Sequence, residues 1–348
     1  MKKKTLRMAA WLMILVSIAA VAFASNPDRT GTAGAQELSI PVGGRGIALG
    51  GSYMAFATGA DAIYYNPAGL ALQTSSVEAL VSSMNYIADI GVVYGALGVK
   101  TGDFGTLGFN IKSINFGNIP VTTTDFPDGN GQAYSPTYIT MGVTYAKALT
   151  DRIAFGFTAS LVTERILEMS ASGVAFNIGI QYHNLAVQGL DLGVAVKNIG
   201  PSMTFSGSNL LTSATSGTGQ RGSQLYTLNA ASFDLPSLME IGISYTRKFG
   251  DMNVLSIGGM FRNNNYLEDE YNAGAEYAFN GTFFLRGGYT FSPQSATDAA
   301  GANSYIYDYS FGAGVHYPVG DVDLSLDYAY RHLKYFTPSS AISLRIGF

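Results

Sequence analysis

Seven charged side chains fall on the polar faces of alternating segments in the C-terminal half of the sequence: Glu240, Glu276, Arg286, Asp308, Asp323, Asp327 and Arg345. Acids and bases brought into one interior could brace it as an ion network, or could line a polar track for a solute. Catalysis has less to work with. The three histidines, His183, His316 and His332, are far apart, and no Ser/His/Asp or metal-ligand spacing surrounds them. There is no cysteine, so disulfides, thiolate metal sites and a lipid-modified cysteine anchor are excluded. No catalytic residue, metal or cofactor is expected, although an esterase site assembled across strands stays open. The run "GGRGIALGG" at 43–51 lacks the Lys-Ser/Thr of a phosphate loop and a preceding buried strand. Its small residues suit close backbone packing instead.

The elements that hold these charges have a period of two. In "DVDLSLDYAY" at 321–330, Val322, Leu324, Leu326, Tyr328 and Tyr330 fall on one face and Asp321, Asp323, Ser325, Asp327 and Ala329 on the other. "FFLRGGYTF", "MEIGISYT", "LDLGVAVK" and "VAFNIGIQY" repeat the pattern. Successive strand side chains point to opposite faces, so each segment has one apolar face and one polar, glycine-rich face. Fourteen such segments lie near 76–83, 90–100, 104–116, 137–148, 153–164, 174–183, 190–199, 239–248, 252–262, 271–279, 283–292, 306–317, 322–330 and 340–348. Their lengths approach the roughly 9–11 residues that cross a bilayer as a tilted strand.

The connections separate by length. After even-numbered segments they are short ("TGD", "LTDR", "NLAVQG", "FGD", "NGT" and a turn at "PVGD"); after odd-numbered ones most are long, at 117–136, 165–173, 200–238, 263–270, 293–305 and 331–339. Short turns at one end and long loops at the other predict an all-β, transmembrane antiparallel barrel of about 14 strands. None of the prolines falls inside a proposed strand, as expected where each would remove a ladder donor. A charge facing lipid costs roughly 2–4 kcal/mol for Arg at the midplane, so the seven charges are expected to face the lumen. The chain ends in "AISLRIGF", whose terminal Phe348 fits the assembly signal read by the barrel assembly machinery.

Composition agrees. Charged residues make up 13% of the chain, against roughly 25% in soluble domains, which points to outer-membrane lipid as the surrounding solvent. Residues 1–24 combine Lys2, Lys3, Lys4 and Arg7 with an apolar run from Met8 to Phe23 and the small-x-small "AFA". This is the form of a secretory signal peptide cleaved near Ala24. The run is shorter than the about 20 residues of a spanning helix. The expected location is therefore the outer membrane of a diderm bacterium. The formal charge of −4 becomes more negative once the leader's four cations leave, which argues against a nucleic-acid partner.

Residues 25–75 precede the barrel, which occupies 76–348. In "YYNPAGLA" at 64–71, Asn66 suits a helical cap, Pro67 the first position and Gly69 the end of a short turn, with Ala68 between. The motif is either a tight turn into the first strand or the joint between that strand and a plug built from the small residues of 43–62.

"GGRGIALGG…ATGADAIYYNPAGLA" resembles the N-terminal signature of FadL-like outer-membrane proteins, specifically their PorV/PorQ branch. The likeness continues through "YIADIGVVYGAL", "DFGTLGFNIKSINF", "VTTTDFPDGNGQ", "ERILEMSASGVAFNIG" and "VAVKNIGPSMTFSG" over the whole segment after the leader. The resemblance implies a fourteen-stranded barrel with an N-terminal plug. It also implies one of two non-enzymatic functions. The first is a type IX secretion accessory whose outer loops bind the translocon or the C-terminal signal domains of exported proteins. The alternative is a FadL-like passive transporter of hydrophobic small molecules. The segment 205–232 is expected to be a loop removable without disturbing barrel or plug.

Overall fold

The alternating segments pair with their sequence neighbours because each has backbone donors and acceptors to satisfy and one apolar face to place. The computed structural model describes residues 29–214, 223–297, 301 and 303–348; the expected leader at 1–24 lies outside them. Fourteen antiparallel strands close on themselves. They are β1 (Val77–Asn85), β2 (Gly91–Lys100), β3 (Thr106–Asn115), β4 (Thr137–Ala148), β5 (Ile153–Ile166), β6 (Met169–Tyr182) and β7 (Leu190–Ile199). The second half comprises β8 (Leu238–Phe249), β9 (Asn253–Asn264), β10 (Glu270–Phe279), β11 (Phe283–Phe291), β12 (Tyr307–Val319), β13 (Val322–Leu333) and β14 (Ser339–Gly347). Closure joins β14 to β1, with Ser82 opposite Ser343 and Glu78 opposite Gly347.

The two faces differ as the alternation requires. On β13, Ser325, Asp327 and Ala329 are buried while Leu326 and Tyr328 are each 49% exposed. Outward-facing Val, Leu, Ile, Phe and Tyr continue this way round the barrel. An apolar belt of that extent on a closed barrel is stable against lipid, not water.

Several details depart from the sequence reading. The expected loop 165–173 is mostly strand: Ile166 pairs with Met169, and Leu167 takes a positive φ of 54° in the tight turn between them. Pro318 lies inside β12, opposite Asp323. The β11 ladder stops at Val315, so the missing N–H has no neighbour on that side. The segment 200–238 is not a free loop. Ser206 and Gly207 extend the sheet beside Ser170 and Met169, and Met203 bridges Phe233. Met203 and Leu235 pack with Ala35 and Leu38, so excising 205–232 would cut into the wall and its packing. The separable part is the hairpin of Leu211–Ala214 and Gln224–Thr227.

The N-terminal segment fills the barrel. It starts at the long-loop end, where Arg29 meets Asp234, and reaches the short-turn end at Ser76, whose N–H donates to the Phe348 carbonyl. Between them lie two short helices, α1 (Gly44–Ala48) and α2 (Ala62–Tyr65), and 3-10 turns including Pro67–Leu72. The turn at 67–72 packs on β4, β5 and β6, and α1 packs on β12 and β13.

Candidate functional site

The interior is built by glycine and tyrosine before any charge is considered. A Cβ on Gly46 would sit 2.1 Å from the Tyr65 ring, so glycine lets that ring lie against α1. The Tyr65 hydroxyl donates to the Val42 carbonyl at 2.8 Å, and Tyr53, Phe56, Tyr64 and Tyr65 make successive edge-on contacts near 5 Å.

The "NPAG" stretch sits among these contacts. The Asn66 side chain accepts the Ala68 N–H at 3.2 Å and donates to the Ile180 carbonyl at 3.1 Å. Pro67 opens the 3-10 turn. Gly69 does not end it, because the turn continues to Leu72, and Gly69 lies outside the positive-φ residues. Glycine is required there for room: a Cβ would fall 1.9 Å from the Ala57 carbonyl oxygen.

Charged pairs then tie the segment to the wall. Arg45 of α1 binds Glu276 of β10 through both carboxylate oxygens, at 2.9 and 2.8 Å. Glu276 also accepts Arg286 Nε at 2.6 Å, and Arg286 reaches Asp327 at 2.6 Å. Asp61 meets Arg345 at 3.3 Å, and Glu78 accepts the Ala60 N–H at 2.8 Å. A second cluster joins Lys197, Glu240, Arg262 and Glu270 at 2.7–2.8 Å.

Of the seven charges read from the sequence, Glu276, Arg286 and Asp327 therefore meet in one chain of ion pairs. Arg345 binds the N-terminal segment, and Glu240 belongs to the second cluster. Two lie outside these networks. Asp323 is at the short-turn rim beside His316, at 3.3 Å, with half its side chain exposed. Asp308 does not face the lumen. The β12 ladder shifts between Tyr307 and Ser310, so Asp308 and Tyr309 both leave the lumen-facing row. Asp308 pairs with His332 at 2.8 Å, and the His332 ring stacks on Tyr309.

The sequence reading passed over Arg45, Asp61, Lys112, Lys197, Arg262 and Arg331. Lys112 and Lys197 stood at lumen-facing positions of strands already recognised. Lys112 Nζ donates to the Ile40 carbonyl at 3.0 Å, and both ammonium groups lie about 5 Å from the Tyr64 ring.

At the long-loop end the filling leaves a chamber of about 190 Å³. Its floor includes Ser39, Ile40, Pro41, Ile47 and Tyr65; its walls carry Tyr86, Arg262, Asn264, Leu267, Glu270, Asn272, Tyr307 and Arg331. Beyond it, Arg29 lies over the Tyr266 ring at 4.3 Å and pairs with Asp234, which also accepts from Ser202 and Tyr266. These hydrogen bonds, led by the one from Ser202, hold the Asp234 carboxyl below the usual carboxylate range.

Solved structures with this shape include the CymD monoaromatic hydrocarbon channel (TM-score 0.51, 14% identity, covering 88% of this chain and 97% of that one). Two others are the Ralstonia pickettii toluene transporter TbuX (0.52, 15%, 87% and 96%) and the Pseudomonas putida toluene transporter TodX (0.50, 12%, 86% and 96%). This is a fourteen-stranded transmembrane barrel fold, shared with these channels. No family model matches the chain, and no curated protein matches it in sequence. At such low identities, the likeness is one of fold.

Proposed function

We propose that the protein is a passive outer-membrane channel for small hydrophobic or amphipathic molecules, with residues 29–76 as its plug. The observation that carries this is the chamber: in a barrel whose lumen is largely filled among the described residues, a cavity of about 190 Å³ stays open toward the long loops. Aromatic and aliphatic side chains supply much of its lining, as small-molecule sites require. A general porin for polar solutes keeps a water-filled lumen, whereas here the lumen holds ion pairs and packed tyrosines. The similarity to structures described as hydrocarbon channels and toluene transporters supports the same reading. On this reading the short turns face the periplasm and residues 1–24 are removed on export.

The secretion reading, with membership of the PorV/PorQ branch, draws on one feature. The hairpin above the barrel exposes Leu225 at 73% and Tyr226 at 43%, a surface suited to a protein partner. The chamber has no use in that reading, so transport is preferred.

The test is flux. Cells producing the protein should take up toluene faster than cells lacking it, with no gain in sucrose entry. Equal toluene uptake in both would refute the channel. Removing 211–227 should leave that uptake unchanged; abolished capture of an exported protein, with no toluene effect from the whole protein, would establish the secretion reading instead.

A further inference from the structure

The chamber carries a charge that has no counter-ion among the described residues. Arg262, on its wall, is committed to Glu240 and Glu270, and Lys197 completes that cluster, giving two acids and two bases. Arg331 is different. It occupies a lumen-facing position of β13 opposite Ser310 and Ser339, and among the described residues it makes no ion pair. Its only described partner is the face of Tyr307, 3.5 Å from the guanidinium carbon. The neighbouring His332 points to the other side of the strand, where it holds Asp308. A guanidinium with five donors and no acceptor is a strong recognition group for a carboxylate.

Among the described residues, two further polar atoms of the chamber lack partners. Ser39 Oγ and Asn272 Oδ1 are buried without a hydrogen bond, and both residues line the cavity. Asn272 donates its amide hydrogens to the Gly50 carbonyl and the Thr290 hydroxyl, leaving only its acceptor free. The Tyr86 and Tyr307 hydroxyls share one hydrogen bond at 2.6 Å, and their rings present surface to the cavity. At about 30 Å³ for each water, 190 Å³ is about six waters, the space of a single-ring compound.

We propose that this chamber binds a small amphipathic organic anion, a monocarboxylate on an aromatic or branched apolar body, with Arg331 receiving the carboxylate. The tyrosine faces, Ile40, Pro41, Ile47 and Leu267 hold the body, and Asn272 accepts a donor where the ring carries one. This deepens the transport reading and rests on it for its physiological use. It distinguishes the cargo from a plain hydrocarbon, which would offer the half-buried Arg331 guanidinium no counter-ion.

The test uses the full-length protein in detergent, with benzoate and its neutral isostere benzamide in equilibrium dialysis. Wild type should bind benzoate saturably and in preference to benzamide. Arg331→Gln should weaken benzoate by about 10- to 100-fold, as loss of a charged hydrogen bond predicts, with benzamide little changed; Arg331→Lys should recover part of the loss. Equal binding of the two compounds by wild type overturns the proposal without any variant. So does an equal loss of both in Arg331→Gln, which would make Arg331 a packing residue. Toluene flux through wild-type proteoliposomes separates the two readings. Flux without benzoate preference removes the anion site and keeps the channel; Arg331-dependent benzoate binding without flux of either compound keeps the site and removes the channel.

Discussion

Arg45 and Glu276, 231 residues apart in sequence, form a two-point ion pair across the barrel lumen, Nε to Oε2 at 2.9 Å and Nη2 to Oε1 at 2.8 Å. The pair joins a five-residue helix of the N-terminal segment to the middle of a wall strand. Glu276 is only 4% exposed and is also held by Arg286, whereas Arg45 makes no other ion pair among the described residues, so it is Arg45 that loss of Glu276 would leave charged and unpaired.

Removing Glu276 alone should therefore be worse than removing both. Glu276→Leu is expected to cost roughly 3–5 kcal/mol, and Arg45→Leu added to it should recover part of that loss. Thermal unfolding in detergent reads the stability. Solute leak through proteoliposomes reads the seal, and the single variant should leak more than wild type. A single variant as stable and as tight as wild type would show that the pair does not tether the segment.

Gly69→Ala places a methyl where the Ala57 carbonyl oxygen lies 1.9 Å away. Overpacking of this kind costs about 1–3 kcal/mol, and the turn at 67–72 should shift against β4 to β6. The heat-modifiable band should convert at lower temperature and solute leak should rise, more so with Pro67→Ala added. A sealed, equally stable variant would mean that "NPAG" is only a turn into β1.

The seam between first and last strands depends on the terminal residue. The Phe348 N–H donates to the Val77 carbonyl at 2.9 Å, and its own carbonyl accepts the Ser76 N–H at 2.6 Å. Deleting Phe348 removes these bonds and the proposed assembly signal together, so the yield of folded barrel in outer-membrane fractions should fall. Normal yield would make the residue dispensable.

The Arg29–Asp234 clasp should respond to acid. Asp234 has a folded pKa below its unfolded value, so its contribution is complete above the unfolded value of about 3.9 and disappears as pH falls through the lower, folded one. The chain has no cysteine, so Thr32→Cys gives a single site for a spin label. Its mobility should stay constant from pH 7 down to about pH 4 and rise below it, and Asp234→Asn should make it mobile at pH 7. Unchanged mobility in that variant would exclude the clasp.

Topology is open to protease. Epitopes placed within 125–132, in a long connection, should be cut on intact cells, and those at 101–103, in a short turn, should not. The reverse pattern would invert the barrel.

Most of the wall was legible because its cause is local. "DVDLSLDYAY" alternates because residues two apart share a face, and a strand with lipid on one side and packed lumen on the other must show it. Lys112 and Lys197 were legible by the same parity, in "NIKSINF" and "GVAVKNI". Asp308 misled that parity, since the β12 irregularity between Tyr307 and Ser310 leaves no mark in the pattern. The hairpin at Leu167 was hidden because its turn carries neither glycine nor proline, only a leucine and a glutamate.

The sequence by itself determined a closed antiparallel barrel, its strand number and the ends at which turns and loops lie, because backbone pairing and lipid contact are periodic and short-range. The tertiary structure alone decided what fills that barrel. Arg45 finds Glu276, Asp61 finds Arg345, and Arg331 is left without an ion pair among the described residues, through distances across the lumen that no spacing along the chain encodes. Gly69 likewise looked like the end of a turn, and only the Ala57 carbonyl beside it shows why no larger side chain fits.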